Sequence, residues 1–140
     1  MQITFKSNYK QVKANLERQG RDVGKSIKRA LSITAQEGIN IIERRTAQSV
    51  GYKGGKFRKY TPDYAKFRLF NGRTQRPNLE FSGKMLGSMT SKADSKKATI
   101  FFTRAREAKK AAGNNELRPF FGFSKREQKK LGKIFFRYIK

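Results

Sequence analysis

Helical periodicity between residues 22 and 45 is the feature that most constrains how this chain can fold. One stripe keeps the spacing of 3.6 residues per turn for about seven turns. It consists of Val23, Ile27, Ala30, Leu31, Thr34, Gly38, Ile41, Ile42 and Arg45. Ile33 and Ile39 widen the stripe, so the helix should be covered on more than one side, and Asp22 is placed to cap its first turn. The sequence therefore predicts one long helix in its N-terminal half.

Weaker patterns predict two shorter helices. The first should present one face made of Tyr9, Val12 and Leu16. Gly20 is the expected stop of that helix. Segment 105–112 has helical composition, and the Gly-Asn-Asn run at 113–115 should end it as a turn or a C-cap.

A C-terminal helix is predicted from the spacing of Ser124 and Glu127, which is that of a capping box. Its apolar face would carry Leu131, Ile134, Phe135 and Tyr138. Strands are expected at 2–6, where Ile3 and Phe5 alternate with polar residues, and at 89–93 and 98–104 as a hairpin around 94–97. The predicted class is α+β, with the long helix and the C-terminal helix packed on a small, mostly antiparallel β-sheet.

Residues 51–78 are punctuated by glycine and proline and are predicted to form a long loop. Within it, segment 60–67 has the sequence of a single helical turn, with Thr61 as N-cap and Pro62 at the first helical position. Segment 82–88 is expected to form another short turn.

Composition predicts one basic, folded domain over residues 1–140. The chain carries 34 Lys plus Arg against 10 Asp plus Glu, a formal net charge of +24. Such a chain attracts polyanions, whether nucleic acid, an anionic membrane surface or an acidic protein. Hydrophobic residues make up 36% of it, which is too apolar for a disordered basic tail. Its N-terminus lacks the layout of a signal peptide, so we expect it in a cytoplasm.

Catalytic chemistry is poorly supplied, and we expect neither an enzyme nor a cofactor. The chain has no histidine and no cysteine, and its carboxylates are scattered. No Asp-x-Asp pattern offers oxygen ligands to a metal. The glycines of segment 51–56 lack the spacing of a phosphate-binding loop.

Basic residues near aromatic ones are candidates for contact with a polyanion. They are Lys53, Lys56, Arg58, Lys59, Lys125, Arg126, Lys129, Lys130, Lys133 and Arg137. The alternative for the last six is a solvated helix face. Aromatic side chains are candidates for a subunit interface: Tyr60, Tyr64, Phe67, Phe70, Phe120, Phe121 and Phe123. The alternative is that these rings fill the core, those of segment 120–123 seating the last helix against the long one.

Three phrases in fixed order resemble one protein family. Residues 57–64 match the pattern F-x-x-Y-s-P-x-Y, residues 79–88 match L-x-x-s/T-G-x-M/L-x-x-S, and residues 118–124 match R-P-F-x-G-x-S. Together with a long early helix, they resemble the virion-morphogenesis or tail-completion proteins of Mu-like and related tailed bacteriophages. Segment 105–113 departs from the family, which tends to have an alternating strand and a His or Tyr there.

This resemblance implies a non-enzymatic structural protein of the virion, acting at the neck or the head-proximal end of the tail. Such proteins complete the tail or join it to the head, typically as a ring of identical subunits, here expected to be a hexamer. Implied partners are other neck and tail proteins (connector, terminator, tail tube or sheath) and packaged DNA, with no membrane. The alternative is a cellular, basic nucleic-acid-binding protein, either architectural or ribosome-associated.

Overall fold

The fold is α+β, as predicted, and it contains six helices and one small antiparallel sheet among the residues that the structure describes. The structure is a computed structural model, and it describes residues 1–18 and 22–139. In chain order the elements are β1 (Gln2–Lys6), α1 (Tyr9–Arg18), α2 (Val23–Ala47), α3 (Pro62–Phe70), α4 (Lys84–Gly87), β2 (Met89–Ala93), β3 (Lys97–Phe102), α5 (Ala105–Leu117) and α6 (Lys125–Tyr138).

Contacts between Cα atoms group the chain into two compact units. We call residues 2–40, 90–101 and 125–140 the sheet unit, and residues 1, 41–89 and 102–124 the aromatic unit. The prediction of a single domain over 1–140 stays a prediction.

The sheet of the sheet unit has the strand order β1-β3-β2. β1 pairs antiparallel with β3 in a register that sets Gln2 opposite Phe101 and Lys6 opposite Lys97. As predicted, Ile3 and Phe5 are half-buried while the residues between them are exposed. The alternation of side chains across a strand explains this pattern. The predicted hairpin is present, since β2 and β3 flank residues 94–96, but its second strand covers 97–102 where 98–104 was predicted.

The helices that begin in this unit follow their sequence signals closely. α1 buries Val12 and Leu16, as its predicted face requires, whereas the predicted stop at Gly20 lies outside the described residues. α2 begins directly after Asp22, whose Oδ1 accepts a hydrogen bond from the Lys25 backbone N–H at 3.0 Å. This bond satisfies an N–H that the helix itself cannot pair, so the predicted cap is confirmed.

α6 runs over the predicted C-terminal segment with part of its apolar face buried. Leu131 and Phe135 are buried and Ile134 is half-buried. Tyr138, the last member of the predicted face, is exposed, as is Phe136 beside it. The stripe is therefore covered in the middle of the helix and open towards its end.

The predicted end of α5 at residues 113–115 is wrong, because the helix continues to Leu117. Gly113 costs a helix about 1 kcal/mol relative to alanine, which a tertiary contact can offset. α4 contacts α5, and the Asn114 side chain donates to the Lys110 carbonyl at 2.9 Å and contacts Met85 Sδ at 3.7 Å. These contacts hold the last turn of the helix beyond the glycine.

The predicted loop at 51–78 is also corrected, since a nine-residue helix, α3, lies within it. Thr61 is its N-cap, with Oγ1 accepting from the Tyr64 backbone N–H at 3.4 Å, and Pro62 follows at the first helical position. The N-cap and the proline were both predicted, but the helix was expected to be a single turn and not nine residues long. The helix ends at Phe70, and Gly72 then takes a φ of 72°, which favours glycine. The turn predicted at 82–88 is α4.

Candidate protein-interaction site

A buried arginine organises the centre of the aromatic unit. Arg68, on α3, is only 1% exposed. Its Nε donates to the Thr74 carbonyl at 2.8 Å, and its Nη2 donates to Asn78 Oδ1 at 3.0 Å and to the Glu80 carbonyl at 2.8 Å. One guanidinium therefore holds the irregular segment 74–80 against the helix, because its fork of N–H donors can reach several acceptors at once.

The guanidiniums of Arg68 and Arg118 both lie against the ring of Tyr60. Arg118, just after α5, donates from Nε to the Arg58 carbonyl at 2.6 Å and from Nη2 to the Lys59 carbonyl at 3.0 Å. The Tyr60 ring centroid lies 4.6 Å from Arg118 Cζ and 4.8 Å from Arg68 Cζ. Two cation–π contacts thus share one ring, whose hydroxyl also accepts from the Leu79 N–H at 3.1 Å.

Burial away from water lowers the pKa of the Arg118 guanidinium; the nearby Tyr60 opposes this shift and Arg58 adds to it. An arginine nevertheless stays protonated at physiological pH, because its ordinary pKa is so high. The hydrogen bonds of Arg68 and Arg118 go to carbonyls and to one amide. In the part of the chain that the structure describes, neither guanidinium has a carboxylate partner. Their positive charges are therefore stabilised by backbone carbonyls, by one side-chain amide and by the Tyr60 ring.

Two of the aromatic residues predicted for an interface lie in the core instead. Phe120 is fully buried and Phe121 nearly so, and their rings pack 6.0 Å apart. Arg45 fixes this segment, since its Nη2 donates to the carbonyls of Phe120 at 2.7 Å and Gly122 at 2.9 Å. Because so little of either ring reaches the surface, the structure favours the alternative for these two, that they fill the core. Phe123 is half-buried.

The aromatic residues of α3 are exposed, by contrast. Phe70 is 92% exposed, Phe67 52% and Tyr64 38%, whereas Tyr60, which precedes the helix, is half-buried. Phe81, in the segment between α3 and α4, is also exposed and lies beside these rings. The rings of Tyr64 and Phe67 stack at 6.1 Å, and those of Phe67 and Phe81 at 5.8 Å. We call Tyr64, Phe67 and Phe81 the aromatic shelf. Nothing in the periodicity of the sequence indicated that Phe81 would complete it.

A cavity of about 520 Å³ opens beside the aromatic shelf. The three shelf residues line it together with Tyr60, Arg68 and Arg118, and residues of α5 line it as well. Among these, Glu107 is only 4% exposed. Its Oε1 lies 3.5 Å from Lys110 Nζ, whereas its Oε2 is buried and has no hydrogen-bond partner among the described residues. A buried carboxylate oxygen without a donor is costly, because burial takes it away from bulk water.

The predicted polyanion-contacting residues are all exposed, but they belong to different units. Lys53, Lys56, Arg58 and Lys59 lie in the aromatic unit. The remaining six are on α6, in the sheet unit, and we call them the basic face of α6: Lys125, Arg126, Lys129, Lys130, Lys133 and Arg137. Exposure leaves them available to an anionic partner and equally compatible with a solvated surface.

No cluster of three possible metal-ligating side chains occurs within residues 1–18 and 22–139. Likewise, none of the described helices combines the length and the apolar character needed to cross a membrane. We compared the chain with protein-family models, with curated proteins and with solved structures, and none of them matches it.

Proposed function

We propose that this chain is a non-enzymatic structural protein of a tailed-phage virion, acting at the neck or the head-proximal end of the tail. In this proposal it assembles as a ring of identical subunits around the DNA channel, with neck and tail proteins as neighbours. The three sequence phrases support the assignment to the virion structural proteins. The exposed apolar surface of the aromatic unit supports the assembly.

The observation that carries the proposal is the exposure of large apolar side chains in a chain with a net charge of +24. Exposed together in the aromatic unit are Tyr64, Phe67, Leu69, Phe70, Phe81 and Leu117. Tyr64, Phe67 and Phe81 stack on one another, and an exposed apolar patch of this kind marks a site of contact with another protein. Aromatic anchors are also the residues that contribute most to such contacts.

Two of the three sequence phrases, at residues 79–88 and 118–124, have structural roles that are consistent with this proposal. Segment 79–88 contains the Arg68 acceptor Glu80 and the helix α4. Segment 118–124 contributes Arg118 to the Tyr60 ring and two phenylalanines to the core. We further propose that α2 and α6 pack on the three-stranded sheet, which would give that sheet one covered face and one open face.

The test is to image tailed particles made in cells that express this chain with its genomic neighbours. Averaged density at the head–tail junction should hold a closed ring of this chain, and a Phe67→Ser, Phe70→Ser variant should leave that ring incomplete. Particles that contain the protein only as isolated monomers, or tailed particles that lack it altogether, would defeat the proposal.

A second candidate function is nucleic-acid binding by a cellular protein, and the basic face of α6 favours it. Its six cations are all exposed on one helix. If this were the function, the isolated chain would bind duplex DNA tightly, and the logarithm of the binding constant would fall steeply with the logarithm of salt concentration. Neutralising the six residues would then abolish DNA binding, whereas the Phe67→Ser, Phe70→Ser variant would retain it.

A further inference from the structure

The cavity beside the aromatic shelf has the lining of a peptide-binding site. Aromatic rings and polar groups of α5 together line a volume of about 520 Å³. Ligand sites typically combine apolar walls with a few polar groups that fix the orientation of the ligand. Here the polar groups include both donors and an acceptor, so the ligand should carry both kinds of group in return.

The charges that line the cavity favour an acidic ligand. Arg68, Arg118 and Lys110 contribute three positive groups, and Glu107 contributes the one negative group. Because neither guanidinium has a carboxylate partner in the described chain, the cavity keeps an excess of positive charge. A carboxylate placed there would gain from that excess, since Coulomb interactions are stronger away from bulk water.

The aromatic shelf favours a peptide over a simple anion or a phosphate backbone. Its three rings line the cavity and keep exposed surface, which an inorganic anion cannot cover. A peptide segment supplies apolar side chains together with acidic ones, and so it can cover the rings and meet the cations at once.

We infer that this cavity binds an acidic peptide segment of another protein, with an aromatic or aliphatic side chain seated on the aromatic shelf. In the proposed particle, on which this inference rests, that protein is an acidic neighbour of the ring. A second copy of the chain is a poor occupant of the cavity, because it has few carboxylates to offer the cations there: the chain carries 10 acidic residues against 34 basic ones.

The test measures fluorescence anisotropy of two labelled peptides with the full chain. One has the sequence Gly-Asp-Phe-Asp-Leu-Glu-Gly, and the other replaces Phe and Leu with Ser at the same charge. Two variants alter the site at exposed positions, Phe67→Ser and Lys110→Gln. Their matched controls are Phe70→Ser, which is more exposed but does not line the cavity, and Lys109→Gln, the exposed neighbour on α5. Circular dichroism confirms that each variant is folded.

At about 0.15 M salt, where exposed charges are largely screened, the first peptide should bind the wild type at least about tenfold more tightly than the serine peptide. Phe67→Ser and Lys110→Gln should each weaken that binding by roughly three- to tenfold. Phe70→Ser and Lys109→Gln should leave it unchanged.

Equal binding of the two peptides, or equal effects of site and control variants, would overturn the inference. So would a labelled duplex DNA whose binding depends on Phe67 and Lys110, because that result assigns the cavity to nucleic acid. The outcome is separable from the proposed function. Rings present in particles without peptide binding would reject the inference alone, and site-dependent binding by a chain absent from particles would reject the function alone.

Discussion

Replacing Arg68 with methionine tests whether one buried guanidinium holds the irregular half of the aromatic unit. Methionine keeps much of the side-chain length but offers no donor. The Thr74 carbonyl, Asn78 Oδ1 and the Glu80 carbonyl would each lose a hydrogen bond of 3.0 Å or less. Segment 74–80 would then have no anchor on α3 from this position.

The magnitude follows from which acceptors can recover water. A hydrogen bond to a charged donor contributes about 1.5–3 kcal/mol. Thr74 and Glu80 are exposed residues whose carbonyls can be rehydrated, but Asn78 is half-buried. Loss of the contacts with the Tyr60 and Tyr64 rings adds about 1 kcal/mol. Removing a buried charge without a carboxylate partner returns part of this cost. We expect a net loss of about 3 kcal/mol, a large share of the roughly 5–15 kcal/mol that stabilises an ordinary domain.

Urea denaturation followed by circular dichroism measures this free energy of unfolding. Arg76→Met is the matched control, because Arg76 lies in the same segment and is exposed. We expect a change within about 0.5 kcal/mol for that control, the usual range for surface substitutions. If the two variants were equally stable, the guanidinium of Arg68 would not be the anchor, and this reading of the segment would be wrong.

Three further predictions concern local features. Asp22→Ala should destabilise the chain by about 1 kcal/mol in the same urea assay, whereas Asp22→Ser, which keeps an acceptor, should cost much less. Gly51→Ala should destabilise it clearly, since the added Cβ would lie 2.8 Å from the Pro119 carbonyl oxygen, while Gly55→Ala, which has open space, should be neutral. The backbone N–H groups of Lys96 and Lys97 lower the pKa of Asp94, so its contribution to stability should be present above the unfolded-state pKa and lost as pH falls through the folded one. Carboxyl NMR titration of Asp94 checks this, and an ordinary pKa there would contradict it.

Local signals explain which parts of the fold could be predicted. The period of α2, its cap at Asp22, the alternation in β1 and the hairpin turn all depend on neighbours within a few residues. Apolar periodicity, cap residues and turn residues indicate such local features directly. The end of α5 could not be read in this way, because a side-chain contact between Asn114 and Met85, 29 positions apart, helps to hold its last turn.

The site was predicted only in part, for a related reason. The sequence pointed to Tyr60, Tyr64 and Phe67, because aromatic residues among basic ones stand out. Arg68 was missed, since arginine is usually an exposed residue and nothing local shows that carbonyls from segment 74–80 will surround it. Its spacing of four from Tyr64 was the available signal, because that spacing places both side chains on one face of a helix.

The position of Arg118 in the chain also determines when the surroundings of Tyr60 can form during translation. Its bonds to the carbonyls of Arg58 and Lys59 join positions 60 and 59 residues apart. Translation proceeds from the N-terminus at about 5–20 residues per second, so α3 leaves the ribosome well before the residue that closes over Tyr60. For that interval the aromatic shelf has neither Arg118 nor α5 beside it. The surface proposed for assembly therefore reaches its final form only after Arg118 has been made, which delays partner binding until that point.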